Sequence, residues 1–119
     1  MKYIKLIIEK FSYAFAGLFD VLKNDFSILT QVIIGVIVIL GSYILAMETY
    51  DFIIIIFLVF IVIVSEIFNS AIEKLADYVC DKEHHELIGR AKDMSSAAVL
   101  VMSLCSAIIG FIILSKYLF

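Results

Sequence analysis

Five polar residues stand in series where an apolar run ends. Glu66, Asn69, Ser70, Glu73 and Asp77 are spaced i, i+3, i+4, i+7 and i+11. At about 100° per residue they share one helical face, with Glu66, Glu73 and Asp77 nearly in line. Glu66 follows directly on Phe60-Ile61-Val62-Ile63-Val64-Ser65. A carboxylate beside lipid is costly and is a functional-site hypothesis by default. Asp77 also suits a solvated face, and Glu73 does so less well. Carboxylates alone could hold a cation or relay protons. The next polar stretch adds the opposite charge, in Gly89-Arg90-Ala91-Lys92-Asp93. Lys92 and Arg90 could take phosphate, although Arg90 also suits a membrane anchor. Glu73 and a second carboxylate could hold Mg²⁺ together with nucleotide phosphates. Asp25 lies at the right depth to be that second carboxylate.

Other chemistries find no support. Neither glycine-rich phosphate cradle, G-x-x-x-x-G-K-[ST] or G-x-G-x-x-G, occurs. His84 and His85 are adjacent, so on a helix they point about 100° apart and make no paired metal site. No nucleophile elbow marks a serine hydrolase. Cys80 and Cys105 are too few for a disulfide framework.

The elements that must position these residues are helices in a membrane. Of the 119 residues, 64% are hydrophobic and 18% charged, against about half and a quarter in soluble domains. Mean hydropathy is +1.12. One small domain cannot bury that much apolar surface in itself, so the surplus faces lipid. A net charge of −3 excludes a basic nucleic-acid binder. Phe26–Met47 and Met94–Ser115 are uncharged runs long enough to span. Phe52–Ser65 covers only about 21 Å of a core of about 30 Å. Its helix must continue through Glu66, Asn69, Ser70 and Glu73. The expectation is one all-α membrane domain over 1–119, with a surface helix at 2–24 and spanning helices at 27–47, 52–79 and 93–116.

Residues 2–24 read as an amphipathic interfacial helix. Ile4, Ile7, Ile8, Phe11, Phe15, Leu18 and Leu22 form its apolar face, opposite Lys2, Lys5, Glu9, Ser12, Asp20 and Lys23. Glu9 and Lys10 interrupt Leu6-Ile7-Ile8, which argues against a signal peptide. Basic residues precede the first span and separate the second from the third (Lys74, Lys82, Arg90, Lys92). The loop between spans one and two has Glu48 and Asp51 and no cation. The positive-inside rule then puts the N-terminus inside and the C-terminus outside. Lys116 violates the pattern. Tyr43, Tyr50 and Tyr117 fall at the outer interface. Ser103 with Ala107, and Ser106 with Gly110, read as small-residue packing pairs.

Glu66-Ile67-Phe68-Asn69-Ser70-Ala71-Ile72-Glu73, then Asp77, then His85-Glu86-Leu87-Ile88-Gly89-Arg90-Ala91-Lys92-Asp93-Met94-Ser95-Ser96-Ala97-Ala98-Val99, resemble the bacterial integral-membrane diacylglycerol kinase family. Undecaprenol kinases belong to the same family. The resemblance implies a homotrimer in the bacterial inner membrane that passes phosphate from MgATP to a lipid hydroxyl. It implies Glu66 as general base in contact with the lipid, supported by Asn69, and Glu73 as a metal ligand shared with ATP. Tyr13, Asp25, Asp77, Glu83, His84, His85, Lys92 and Asp93 would contact the nucleotide, and Ser96 the lipid. Asp25 stands where the family has a glutamate as second metal ligand, so its arm is shorter. His85-Glu86-Leu87-x-Gly89-Arg90-Ala91-Lys92-Asp93-Met94 resembles the diacylglycerol branch. Phe11-x-Tyr13-Ala14 is more similar to the undecaprenol branch. An ion- or proton-conducting oligomer or a structural membrane subunit would need Glu66 but would leave Lys92 and Asp93 without a task.

Overall fold

The computed structural model describes residues 1–81, 83 and 85–119. Among these residues four helices follow one another: α1 (Lys2–Asn24), α2 (Phe26–Ile44), α3 (Thr49–Cys80) and α4 (Glu86–Leu118). There is no strand among the described residues. The last three helices are each long and apolar enough to cross a bilayer. α3 packs chiefly on α4 and then on α2, while α1 packs on α2.

The core is thin. Ile28, Ile55, Leu58, Val62, Ala76 and Ile113 are buried, whereas Ile37, Phe57, Phe60, Leu100 and Phe111 lie open. The accessible surface is 9348 Å². A compact soluble chain of this mass exposes about 6,500 Å². Lipid, or further copies of the chain, must cover the difference. α2 and α3 approach closely at Gly35, where a Cβ would sit 2.5 Å from Val59 Cγ1.

Helix ends differ from the expected spans by three residues or more in three places: α3 begins at Thr49 rather than 52, and the other two differences have local reasons. α2 stops at Ile44, before Met47. There Met47 N–H donates to Ser42 O and Ala46 N–H to Tyr43 O, with Ala46 left-handed at φ 52°. This is a Schellman closure, built without its usual glycine. α4 begins at Glu86 rather than near 93, and the acidic Glu86 complements the helix's positive end. α1 buries only Val21, leaving Ile4, Ile7, Ile8, Phe11, Phe15 and Phe19 exposed. Its apolar face is thus free to lie in a membrane interface.

One end of the bundle is closed by a small network. Asp51, buried at the start of α3, accepts from Tyr117 Oη at 2.6 Å and from Lys116 Nζ at 3.0 Å. Tyr117 Oη in turn accepts from Glu48 N–H at 2.9 Å. Lys116, the exception to the charge pattern, is therefore neutralised across α3 and α4. Ser103, Ser106, Ala107 and Gly110 line an apolar cleft of about 470 Å³ between α2, α3 and α4.

Candidate active site

α3 rises about 48 Å over its 32 residues. Counted from Thr49, about 30 Å of hydrocarbon ends near Phe68. Glu66 therefore sits at the membrane edge, and Glu73 and Asp77 lie beyond it. Glu66, Asn69 and Glu73 are each half-buried. Asn69 Nδ2 donates to Glu73 Oε1 at 3.4 Å, and Asn69 Oδ1 is buried without a partner among the described residues.

Asp25 joins this group from the corner between α1 and α2. It is the sole residue between the two helices, in an extended conformation. Its Oδ1 caps α2 by accepting from Ser27 N–H at 3.1 Å and Ile28 N–H at 3.3 Å. The charges of Asp25 and Glu73 both reach Glu66. Carboxylates from two parts of the chain thus come within electrostatic reach of Glu66. Asp25 Oδ2 has no hydrogen bond among the described residues, and no group of three or more His, Cys, Asp or Glu there has metal-binding geometry. Two carboxylates with open oxygens fit Mg²⁺, which takes one or two such ligands and completes its shell with water and phosphate.

Beside this group a polar cavity of about 620 Å³ opens between the end of α3 and the start of α4. Asp77, Cys80, Glu83, His85, Ile88, Gly89, Lys92 and Asp93 line it. That volume is ordinary for a small-molecule site. Lys92 Nζ meets Asp77 Oδ1 at 2.7 Å, joining α4 to α3, and also lies within electrostatic reach of Glu73. It links the cavity to the deeper carboxylates.

The expected nucleotide residues Asp77, Glu83, His85, Lys92 and Asp93 thus gather around one cavity. Tyr13, on exposed α1, and Ser96, on an exposed face of α4, do not line it. His84, also expected at the nucleotide, lies outside the described residues. Cys80, Ile88 and Gly89 are lining residues that the sequence reading does not place at the nucleotide. Cys80 falls three residues after Asp77 on the same helical face, which was the available signal.

The fold defines an integral helical membrane protein with open carboxylates and a polar cavity at one end. The chain matches the family described as prokaryotic diacylglycerol kinase over residues 12–114 and belongs to that family. It is 37% identical over 111 residues to the diacylglycerol kinase of Escherichia coli, an alignment covering 91% of this chain and 88% of that protein. It is 33% identical to the diacylglycerol kinase of Haemophilus influenzae, over 89% of this chain and 86% of the relative. An undecaprenol kinase of Bacillus subtilis is 28% identical, over 88% and 85%. Membership in a kinase family sets aside the ion-conducting and purely structural readings.

Proposed function

We propose that this protein transfers the γ-phosphoryl group of ATP to the hydroxyl of 1,2-diacylglycerol, giving phosphatidic acid at the cytoplasmic face of a bacterial inner membrane. The observation that carries the reading is that Asp25 and Glu73 both act on Glu66 near the membrane edge, on the side where Lys92 lines a polar cavity. A lipid hydroxyl lies at that depth, and ATP would reach the cavity from the water side.

Glu66 is the base. It takes the proton of the lipid hydroxyl as the oxygen attacks the γ-phosphorus. The bond from that phosphorus to the bridging oxygen breaks, and the oxygen leaves with ADP. Such a transfer needs positioning and charge neutralisation more than covalent protein chemistry. Asp25 and Glu73 would hold Mg²⁺, which supplies positive charge at the phosphates when bound. Lys92 has three donors and can keep Asp77 while taking a phosphate oxygen. Asp77, Glu83, His84, His85, Asp93 and Tyr13 complete the nucleotide contacts, and Ser96 meets the lipid. Asn69 steadies Glu73. The apolar face of α1 lies in the interface and leaves lipid a lateral route to the site. Assembly as a homotrimer would cover much of the exposed apolar surface.

A second acceptor, undecaprenol, is favoured by Phe11-x-Tyr13-Ala14 and by the undecaprenol kinase among the relatives. One assay separates the two. Purified protein with Mg²⁺ and γ-labelled ATP is given diacylglycerol, undecaprenol or no lipid. Label should pass to diacylglycerol with the highest kcat/KM. Higher kcat/KM with undecaprenol would reassign the substrate, and no label on either lipid would remove the kinase function.

A further inference from the structure

The corner that carries Asp25 is fastened from behind. Asp20, on the last turns of α1, pairs with Lys74 of α3, with Nζ to Oδ2 at 3.2 Å. Its other oxygen, Oδ1, accepts from Asn24 Nδ2 at 2.8 Å. Asn24 is the residue before Asp25, and Lys74 is the residue after Glu73. The chain Lys74–Asp20–Asn24 therefore runs between the immediate neighbours of the two carboxylates assigned to the metal. The Asn24 amide and the Lys74 ammonium hold the Asp20 carboxyl below its usual range, so the pair stays charged at neutral pH.

This link has mechanical consequences. α1 extends about 34 Å from a single extended residue, Asp25, and buries only Val21. Asp25 belongs to both helices, as C-cap of α1 and N-cap of α2. A change in the tilt of α1 therefore turns the Asp25 backbone. The Asp20–Lys74 pair is the one ion pair between α1 and the rest of the described residues. We propose that Asp20, Lys74 and Asn24 form a strap that positions Asp25 relative to Glu73 and so sets how tightly the site takes a divalent metal–nucleotide. Asp20 and Lys74 are positioning residues and touch neither nucleotide nor lipid. The proposal rests on the function assigned above.

The pair is more than half exposed, so its effect is modest and screened by salt. Asp20→Asn and Lys74→Gln should each raise KM for MgATP by roughly 2- to 5-fold at low salt, leaving kcat at saturation unchanged. The ratio to wild type should shrink toward one in high salt. Binding of Mn²⁺ with a non-hydrolysable ATP analogue, read by electron paramagnetic resonance, should weaken by the same factor without turnover. The reversed pair, Asp20→Lys with Lys74→Asp, should recover most of the loss shown by either reversal alone. Unchanged KM and Mn²⁺ affinity in both single variants, or a reversed pair no better than its parents, would overturn the strap while wild-type transfer leaves the kinase function standing. A wild type that phosphorylates neither lipid would remove the function and the strap with it.

Discussion

The two ends of the bundle each carry acidic residues, and they are built in opposite ways. At one end Asp51 is buried with both oxygens occupied, by Tyr117 and Lys116. One acid meets one base and one phenol, and the account closes within the chain. At the other end the charges of Asp25 and Glu73 both act on Glu66. The nearby cation, Lys92, is already engaged by Asp77, and an Asn69 oxygen is buried without a partner among the described residues. Buried polar groups are normally satisfied. A cluster that satisfies itself holds helices together, whereas one left acidic and open has capacity for a cation and a substrate.

The sharpest way to break this contrast is at Glu66. Glu66→Gln should lower turnover by roughly 10²–10⁴, the worth of a general base, with MgATP binding nearly intact. Turnover close to wild type would take Glu66 out of the mechanism. Asp25→Asn and Glu73→Gln should each raise the Mg²⁺ needed for half-maximal rate by about tenfold or more. Asparagine caps a helix as well as aspartate does, so Asp25→Asn removes charge and spares the end of α2. Unfolding that matches wild type, with a raised Mg²⁺ requirement, would assign the loss to charge. An unmoved Mg²⁺ requirement would remove Asp25 as a ligand.

At the closed end the expected effects are smaller and of another kind. Asp51→Asn should lower stability in detergent denaturation more than Tyr117→Phe does, because it weakens both hydrogen bonds to the carboxylate and not one. Neither should change KM for MgATP or the Mg²⁺ requirement. A raised Mg²⁺ requirement in Tyr117→Phe would show that the two ends are coupled and that the contrast is drawn too sharply.

Much of this was legible from residue order, because hydropathy and helical spacing act locally. The uncharged runs gave the membrane helices, and the phase of Glu66, Asn69, Glu73 and Asp77 gave their shared face. Contacts between distant segments were not legible. Lys116 looked misplaced because Asp51, its partner, lies on another helix. Asp25 could be placed by depth, but its capping of α2 depends on the φ and ψ of one corner residue. The Lys92–Asp77 pair and the entry of Cys80 into the cavity follow from how α3 and α4 meet. The first residue of α4 was missed because the polar stretch before Met94 is helical by local geometry and not by hydropathy.

Phosphoryl transfer from ATP requires the open end to face the compartment that holds ATP and the closed end to face away. Single cysteines at Glu48 and at Asp81, with Cys80 and Cys105 first replaced by serine, test this with an impermeant thiol reagent on intact cells. The cysteine at 48 should be labelled from outside, and the cysteine at 81 only after the cells are permeabilised. The reverse pattern would turn the carboxylates and Lys92 toward the side without ATP and contradict both the orientation and the kinase function.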